Sequence, residues 1–147
     1  MVENKFLNRI IFGLLFIWQL PQNIVALCMK PFFKECILIS YDNYCYCYAI
    51  KGMAGGISLG SFSFISKYIA DDPAIVAHEQ IGHGTQSHIL GWLYLIVIGL
   101  PSLIWCKIYK KIGYEGQYNI FFTEKWANNI AGLESYGKYN SLKFKDK

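Results

Sequence analysis

Charge is scarce in this chain. Asp, Glu, Lys and Arg together make up 16% of its 147 residues, against about a quarter in an ordinary soluble domain. Long stretches therefore carry no ionised side chain. Arg9 is the lone arginine, so there is no arginine-rich run, and no base-reading motif is present. Nucleic acid is excluded as the expected partner. The net charge of +4 is mild and spread over both ends.

Repeats and low-complexity segments are also missing, and the length fits one domain able to bury its own core. The five cysteines, Cys28, Cys36, Cys45, Cys47 and Cys106, are odd in number and lack the spacing of a disulfide framework. Cys28 and Cys106 lie in apolar runs, where a free cysteine is expected to behave as a small buried hydrophobe. Cys45 and Cys47 alternate with Tyr44, Tyr46 and Tyr48, so a strand would place both thiols on one face. No second pair completes a four-sulfur metal site, and they read as structural.

What the chain has in quantity is apolar surface, 54% of its residues, which with the low charge points to membrane lipid as a partner. In the N-terminal apolar segment, residues 1–34, Lys5 and Arg9 precede an uncharged run from Ile10 to Met29. Its length approaches the ~20 residues that span a bilayer as helix. Gln19, Pro21, Gln22 and Asn23 interrupt it, and proline kinks a helix by removing a hydrogen bond. No small-residue cleavage site follows, so the segment reads as a retained kinked membrane helix or two half-helices in the interface.

A second uncharged run, Ile89 to Cys106, leads into Lys107, Lys110 and Lys111 and defines an apolar segment over 89–111. Gly99 and Pro101 break it. It either inserts or lies deep in the interface, or forms a helix–turn–helix packed on the core. The flanking cations predict an N-in, C-in arrangement. The basic tail, 133–147, with Lys138, Lys143, Lys145 and Lys147, is expected to face water or anionic headgroups.

Between the apolar runs the periodicity changes. Residues 35–70 alternate apolar with polar side chains, as in Ser61-Phe62-Ser63-Phe64-Ile65-Ser66, and predict a small antiparallel sheet of about three strands. Asp72 as N-cap and Pro73 at the first helical position open a helix over 71–88. A final amphipathic helix falls within 117–132. The expected fold is α+β, with the sheet and the 71–88 helix flanked by apolar helices.

All three histidines, His78, His83 and His88, fall within eleven consecutive positions of that helix. Glu79 follows the first. Neutral imidazole is a common transition-metal ligand, and an adjacent carboxylate can take a proton from metal-bound water. The familiar helical zinc motif sets its histidines four residues apart. Here His78 and His83 are five apart, about 140° around an ideal α-helix. Two repairs are physically open. A π-helical bulge, eased by Gly82, brings His78 and His83 to one face and leaves Glu79 as general base. A regular helix instead makes Glu79 and His83 the ligand pair and puts Gln80 in the base position, where it cannot accept a proton. Glu124, in a polar helical turn downstream, is the candidate third ligand, and Asn128 a candidate to orient one of the ligands. His88 is expected to face the helix surface or membrane boundary.

An ordered set of motifs resembles a family of small bacterial membrane-associated proteins. It consists of Gly82-His83 with Gln86-Ser87, Leu90-Gly91-x-Leu93-Tyr94-Leu95, Gly99-x-Pro101-Ser102 and Thr123-Glu124-Lys125-Trp126-Ala127. Trp18-Gln19-Leu20-Pro21-Gln22-Asn23 and Gly55 to Gly60 fit the same pattern, which covers roughly residues 12–132. Similar arrangements occur at the C-termini of some polymorphic toxins. The resemblance implies a zincin-like metallopeptidase fold, with a bacterial inner-membrane location. It places the motif's histidines on His78 and His83, its glutamate on Glu79, and the T-E-K-W glutamate on Glu124. The chain departs from the pattern by one inserted residue, Gln80-Ile81 standing where the family has one.

The expected function is zinc-dependent hydrolysis of a peptide or protein substrate. Zn2+ would be held by His78, His83 and Glu124, with Glu79 as catalytic base and the strand between Gly55 and Ser66 pairing with an extended peptide. Two alternatives stand beside it. One is a catalytically degenerate scaffold serving as a partner-binding or immunity-like factor. The other is a structural membrane protein with incidental histidines.

Overall fold

The computed structural model describes residues 4–133; the basic tail from 134 onward lies outside them. Helices α1 (Lys5–Trp18) and α2 (Leu20–Met29) lead into four strands, β1 (Lys34–Asp42), β2 (Cys45–Lys51), β3 (Gly56–Leu59) and β4 (Phe62–Ser66). Then follow α3 (Pro73–Ala77), a π-helical turn (His78–His83), α4 (Gly84–Leu90), a second π-helical turn (Leu95–Gly99), α5 (Leu100–Ile108) and α6 (Phe122–Ile130). The fold is α+β, as expected.

The sheet differs from expectation in one respect. Its order is β1-β2-β4-β3, with β2 and β4 parallel and the other neighbours antiparallel, so it is mixed and four-stranded. The stretch from Ile57 to Ser66 reads as one strand by alternation. Gly60 adopts φ +65°, a left-handed conformation that suits glycine, and folds the stretch into the β3–β4 hairpin. β4 is thereby interior, and only β3 is a free edge on that side. Sequence alternation does sort the two faces correctly. Tyr46, Tyr48, Phe62 and Phe64 share one face, and Cys45, Cys47, Ser58 and Ser63 the other.

The aromatic face packs against α1 and α2. Phe64, Phe62, Ile50, Leu59 and Ala26 form the buried core there, and Phe12 and Phe16 of α1 meet Tyr46 and Phe62 edge to face. The opposite face is lined with small polar side chains, which lets a helix backbone lie close upon it. The π-helical turn His78–His83 occupies that place, with the Glu79 carbonyl accepting from the Ser58 hydroxyl at 3.0 Å.

Asp72 caps α3 as its sequence predicts, its carboxylate accepting from the Ala74 amide at 3.0 Å, with Pro73 in the first turn. Both apolar runs are broken. Among the described residues no single helix is long and apolar enough to cross a membrane. Lys5–Trp18 and Leu20–Phe32 meet at 88°, and Pro73–Leu93 and Leu95–Ile108 at 117°. The second break falls at residues 91–94, ahead of Gly99 and Pro101, because Gly91 takes φ +51° against the Trp18 ring. The bends are clasped together. The Trp18 indole donates to the His88 carbonyl at 2.9 Å, and Gln22 donates to the Gly91 carbonyl at 2.8 Å. Cys28 and Cys106 are exposed, contrary to the expectation of burial, because the helices carrying them turn apolar faces outward.

Candidate metal centre

The five-residue separation of His78 and His83 is absorbed by the π-helical turn, the first of the two repairs open to the sequence. The wider turn is stabilised from both sides. On the sheet side, Ser58 and Ser63 hydroxyls contact the Glu79 carbonyl, and Gln80 donates to the Cys45 carbonyl at 2.7 Å while accepting from Ser40 at 2.9 Å. Gln80 is thus committed to the sheet. On the other side Gly82 lies against α6, where an added Cβ would sit 2.6 Å from the Ala127 carbonyl oxygen. Only glycine permits that approach without a backbone shift.

α6 brings Glu124 to the two imidazoles. Its Oε2 lies 3.2 Å from His78 Nε2 and 3.5 Å from His83 Nε2. Ligand atoms of all three residues lie within 4.8 Å of one another, so the group can hold a metal ion. The edge of a tetrahedron with ligand bonds of the usual zinc length is about 3.4 Å, close to both distances. His78 Nδ1 meets Asn128 Oδ1 at 2.7 Å and His83 Nδ1 meets Gln86 Oε1 at 2.7 Å. An amide oxygen only accepts, so both Nδ1 atoms carry the proton and both Nε2 atoms are turned toward Glu124. The Gln86 orientation is fixed in turn by its donation to the Thr123 carbonyl at 2.8 Å. Thr123 also donates to Glu124 Oε1 at 3.2 Å and accepts from Ser102 at 2.7 Å.

Charge reinforces the geometry. Burial alone would depress the His83 pKa, but the Glu124 carboxylate and its hydrogen bond override this and raise it to about 9. Burial would raise the Glu124 pKa, yet the charge on His83 and hydrogen bonds from both histidines carry it well below the carboxylate range. Without metal the pair is an imidazolium–carboxylate pair. The His78 side chain keeps 15% of its surface and Glu124 only 2%, so access to the centre is from the His78 side.

Glu79 is buried beside this group but is not one of the three. Its Oε2 accepts from the Ser58 hydroxyl at 2.5 Å. Ser58 also meets Ser63 at 2.9 Å, and Ser63 meets Cys45 Sγ at 3.2 Å. Gly56 leaves open the space into which the Glu79 carboxylate projects. The Tyr94 hydroxyl donates to the Ser58 carbonyl at 2.9 Å, and burial, then the Glu79 and Glu124 charges, hold this phenol well above its ordinary pKa.

The remaining candidates fall outside the centre. His88 is half-buried, with its pKa lowered by burial. Burial pushes both Cys45 and Cys47 thiols up to about 12, so neither is a thiolate at neutral pH. A cleft between β1 and α3, lined by Ile39, Asp42, Pro73 and Gln80, contains none of the three ligands. Sequence reasoning assigned no role to Gln86, Thr123, Ser102 or Ser58. The available signal was the motif pattern itself, since Gln86-Ser87, the proline-serine pair and Thr123 all belong to it. Compared with known proteins, no family model matches the chain, no curated protein matches it, and no solved structure matches its fold.

Proposed function

We propose that this chain is a membrane-associated, zinc-dependent peptidase. The observation that carries the proposal is the π-helical turn, which sets His78 and His83 on one face opposite Glu124 while Glu79 stays out of the ligand group. Two imidazoles and a carboxylate form a three-ligand set used in catalytic zinc sites, with a fourth position left for water. When bound, zinc supplies a Lewis acid for the scissile carbonyl and lowers the pKa of its water. Glu79 accepts the proton of the attacking water and passes it to the leaving amine. Ser58 occupies Glu79 Oε2 and leaves Oε1 as the accepting oxygen.

An extended peptide would add to the β3 edge. Because Tyr94 already takes the Ser58 carbonyl, the open part of that edge is Gly55–Ile57, next to the Glu79 carboxylate. β4 is paired on both sides and is not available to substrate.

A second reading rests on the same serine contact. A Glu79 tied at 2.5 Å in a nearly closed site suits a metal-holding, non-catalytic factor that binds a partner. Elemental analysis of purified protein after zinc loading tests the metal. About one zinc per chain, lost in His83→Ala and Glu124→Ala, is expected from one closed ligand set, and absence of metal in the folded protein rejects both readings. Peptide cleavage then separates them: an enzyme cleaves, and its Glu79→Gln variant keeps the zinc and loses cleavage, whereas zinc-loaded protein that cleaves no peptide supports the second reading.

A further inference from the structure

Both bent helix pairs turn back onto the body of the protein. Asn8, near the start of α1, accepts from the Tyr44 hydroxyl in the β1–β2 turn at 3.5 Å, and Phe12 meets Tyr41 with ring centroids 6.4 Å apart. α1 therefore runs along the sheet. On α5, Ser102 donates to Thr123 at 2.7 Å and the Trp105 indole donates to the Tyr118 carbonyl at 2.9 Å, which holds α5 against α6 and its connecting turn. A bilayer crossing by either pair would draw the sheet, or α6 with Glu124, into the hydrocarbon.

The faces that remain outward are apolar and follow helical spacing. Leu7, Ile10, Leu14 and Ile17 form one exposed stripe, and Ile96, Leu100 and Leu103 another beyond the second bend, with exposed Trp92 at the bend itself. The stripes meet where the bends are clasped, the Trp92 indole donating to the Ile17 carbonyl at 3.3 Å. Their charges have one sign. Residues 4–34 and 89–114 contain no Asp or Glu, and their cations are Lys5, Arg9, Lys30 and Lys34 on the first, and Lys107, Lys110 and Lys111 on the second. Of the acidic residues between 35 and 133, Glu115 follows α5 in the turn toward α6, and the others lie on the sheet, at the site and just ahead of α3. Apolar stripes on segments whose own charges are all cationic complement an anionic lipid surface.

We infer that the joined stripes form a single monotopic docking face for an anionic bilayer, entered by both bent pairs from one side, with neither pair crossing. The inference rests on the membrane association proposed above and uses none of its zinc chemistry.

Partition onto preformed phosphatidylglycerol vesicles should exceed that onto phosphatidylcholine vesicles by about tenfold or more. Leu14→Glu and Ile96→Glu, at positions 64% and 67% exposed, should each weaken it by about tenfold without changing the circular dichroism. Topology is read with a membrane-impermeant maleimide. One cysteine is introduced at Lys5, Lys51 or Lys111 in full-length protein whose Cys28, Cys36 and Cys106 are serine, with only the buried Cys45 and Cys47 retained. All three should react on intact vesicles. Protection at position 5 or 111 while position 51 reacts would mean a crossing, overturning the inference and leaving membrane association standing. No partition onto either vesicle, whether from a stable dimer or a monomer, would overturn both, and zinc content would still report separately on the metal centre.

Discussion

His78 and His83 stand five residues apart, yet their imidazoles meet edge to face with ring centroids 4.7 Å apart and planes at 85°. A regular α-helix would point them about 140° apart. The π-helical turn that joins them depends on the close approach of Gly82 to α6. Gly82→Ala pushes a methyl into the Ala127 backbone, and overpacking of that kind costs about 1–3 kcal/mol. Urea denaturation should show that loss, together with weaker metal binding, since the displaced helix carries Glu124 with it.

Metal binding should release a proton. The Glu124 carboxylate keeps His83 protonated up to about 9, and a ligating imidazole must give up its Nε2 proton. Calorimetric titration with zinc at pH 7 in buffers of different ionisation enthalpy should report close to one proton released. Apparent affinity should rise roughly tenfold per pH unit below 9 and flatten above it. Affinity independent of pH between 6 and 9 would contradict the assignment of His83.

The metal-free protein should have a pH window of maximal stability. The folded His83 pKa is raised above its ordinary 6.5 to about 9, so its contribution is complete below 6.5 and fades as pH rises through 9. The folded Glu124 pKa is depressed below its ordinary 4.5, so its contribution is present above 4.5 and is lost on acidification. Melting temperature should therefore peak between these two values. Bound zinc should remove the alkaline decline, because it takes over the role of the His83 proton.

The amide residues behind the histidines should matter to metal affinity without touching the metal. Asn128→Ala and Gln86→Leu each remove an acceptor from an Nδ1–H, and losses of about 10–100-fold in affinity are usual for such partners. Competition with a chromophoric chelator measures this directly.

Gly56→Ala should separate catalysis from metal binding. The new methyl meets the Glu79 side chain from its carboxylate back to Cγ, so Glu79 must shift and its carboxylate is displaced. With zinc content unchanged, cleavage should fall by about tenfold or more, the usual scale of a general base's contribution.

Much of this was legible locally. Asp72-Pro73 fixes the start of α3 because a cap and a preset φ act within one turn. Alternation of Cys45 and Cys47 with tyrosines, and of Ser63 with Phe62 and Phe64, sorted the two sheet faces because side-chain direction has period two. The hairpin at Gly60 is marked in the sequence only by a slip of phase, apolar positions passing from 57 and 59 to 62 and 64, which a reading as one strand overlooks. The choice between a regular and a π-helical turn was also beyond the sequence. It is made by contacts from Ser58, Cys45 and Ala127, all remote along the chain. Glu124 is a candidate third member from its place in a polar helical turn, and the resemblance agrees, but only the packing of α6 on Gly82 shows why it reaches the histidines. Exposure of Cys28 and Cys106 was misjudged because an apolar run reads the same whether it faces a core or the outside.

The clasp between the two bends also orders the birth of the protein. Trp18 finds its acceptor at His88, and Gln22 at Ser87 and Gly91. At ~5–20 residues per second of synthesis, those partners leave the ribosome several seconds after the first helix pair. The sheet, whose strands are close in sequence, has time to pair in that interval. The fastening that joins the two apolar pairs therefore follows the sheet and precedes the arrival of α6 with Glu124, and until it forms, α1 and α2 remain free to be claimed by whatever surface they meet.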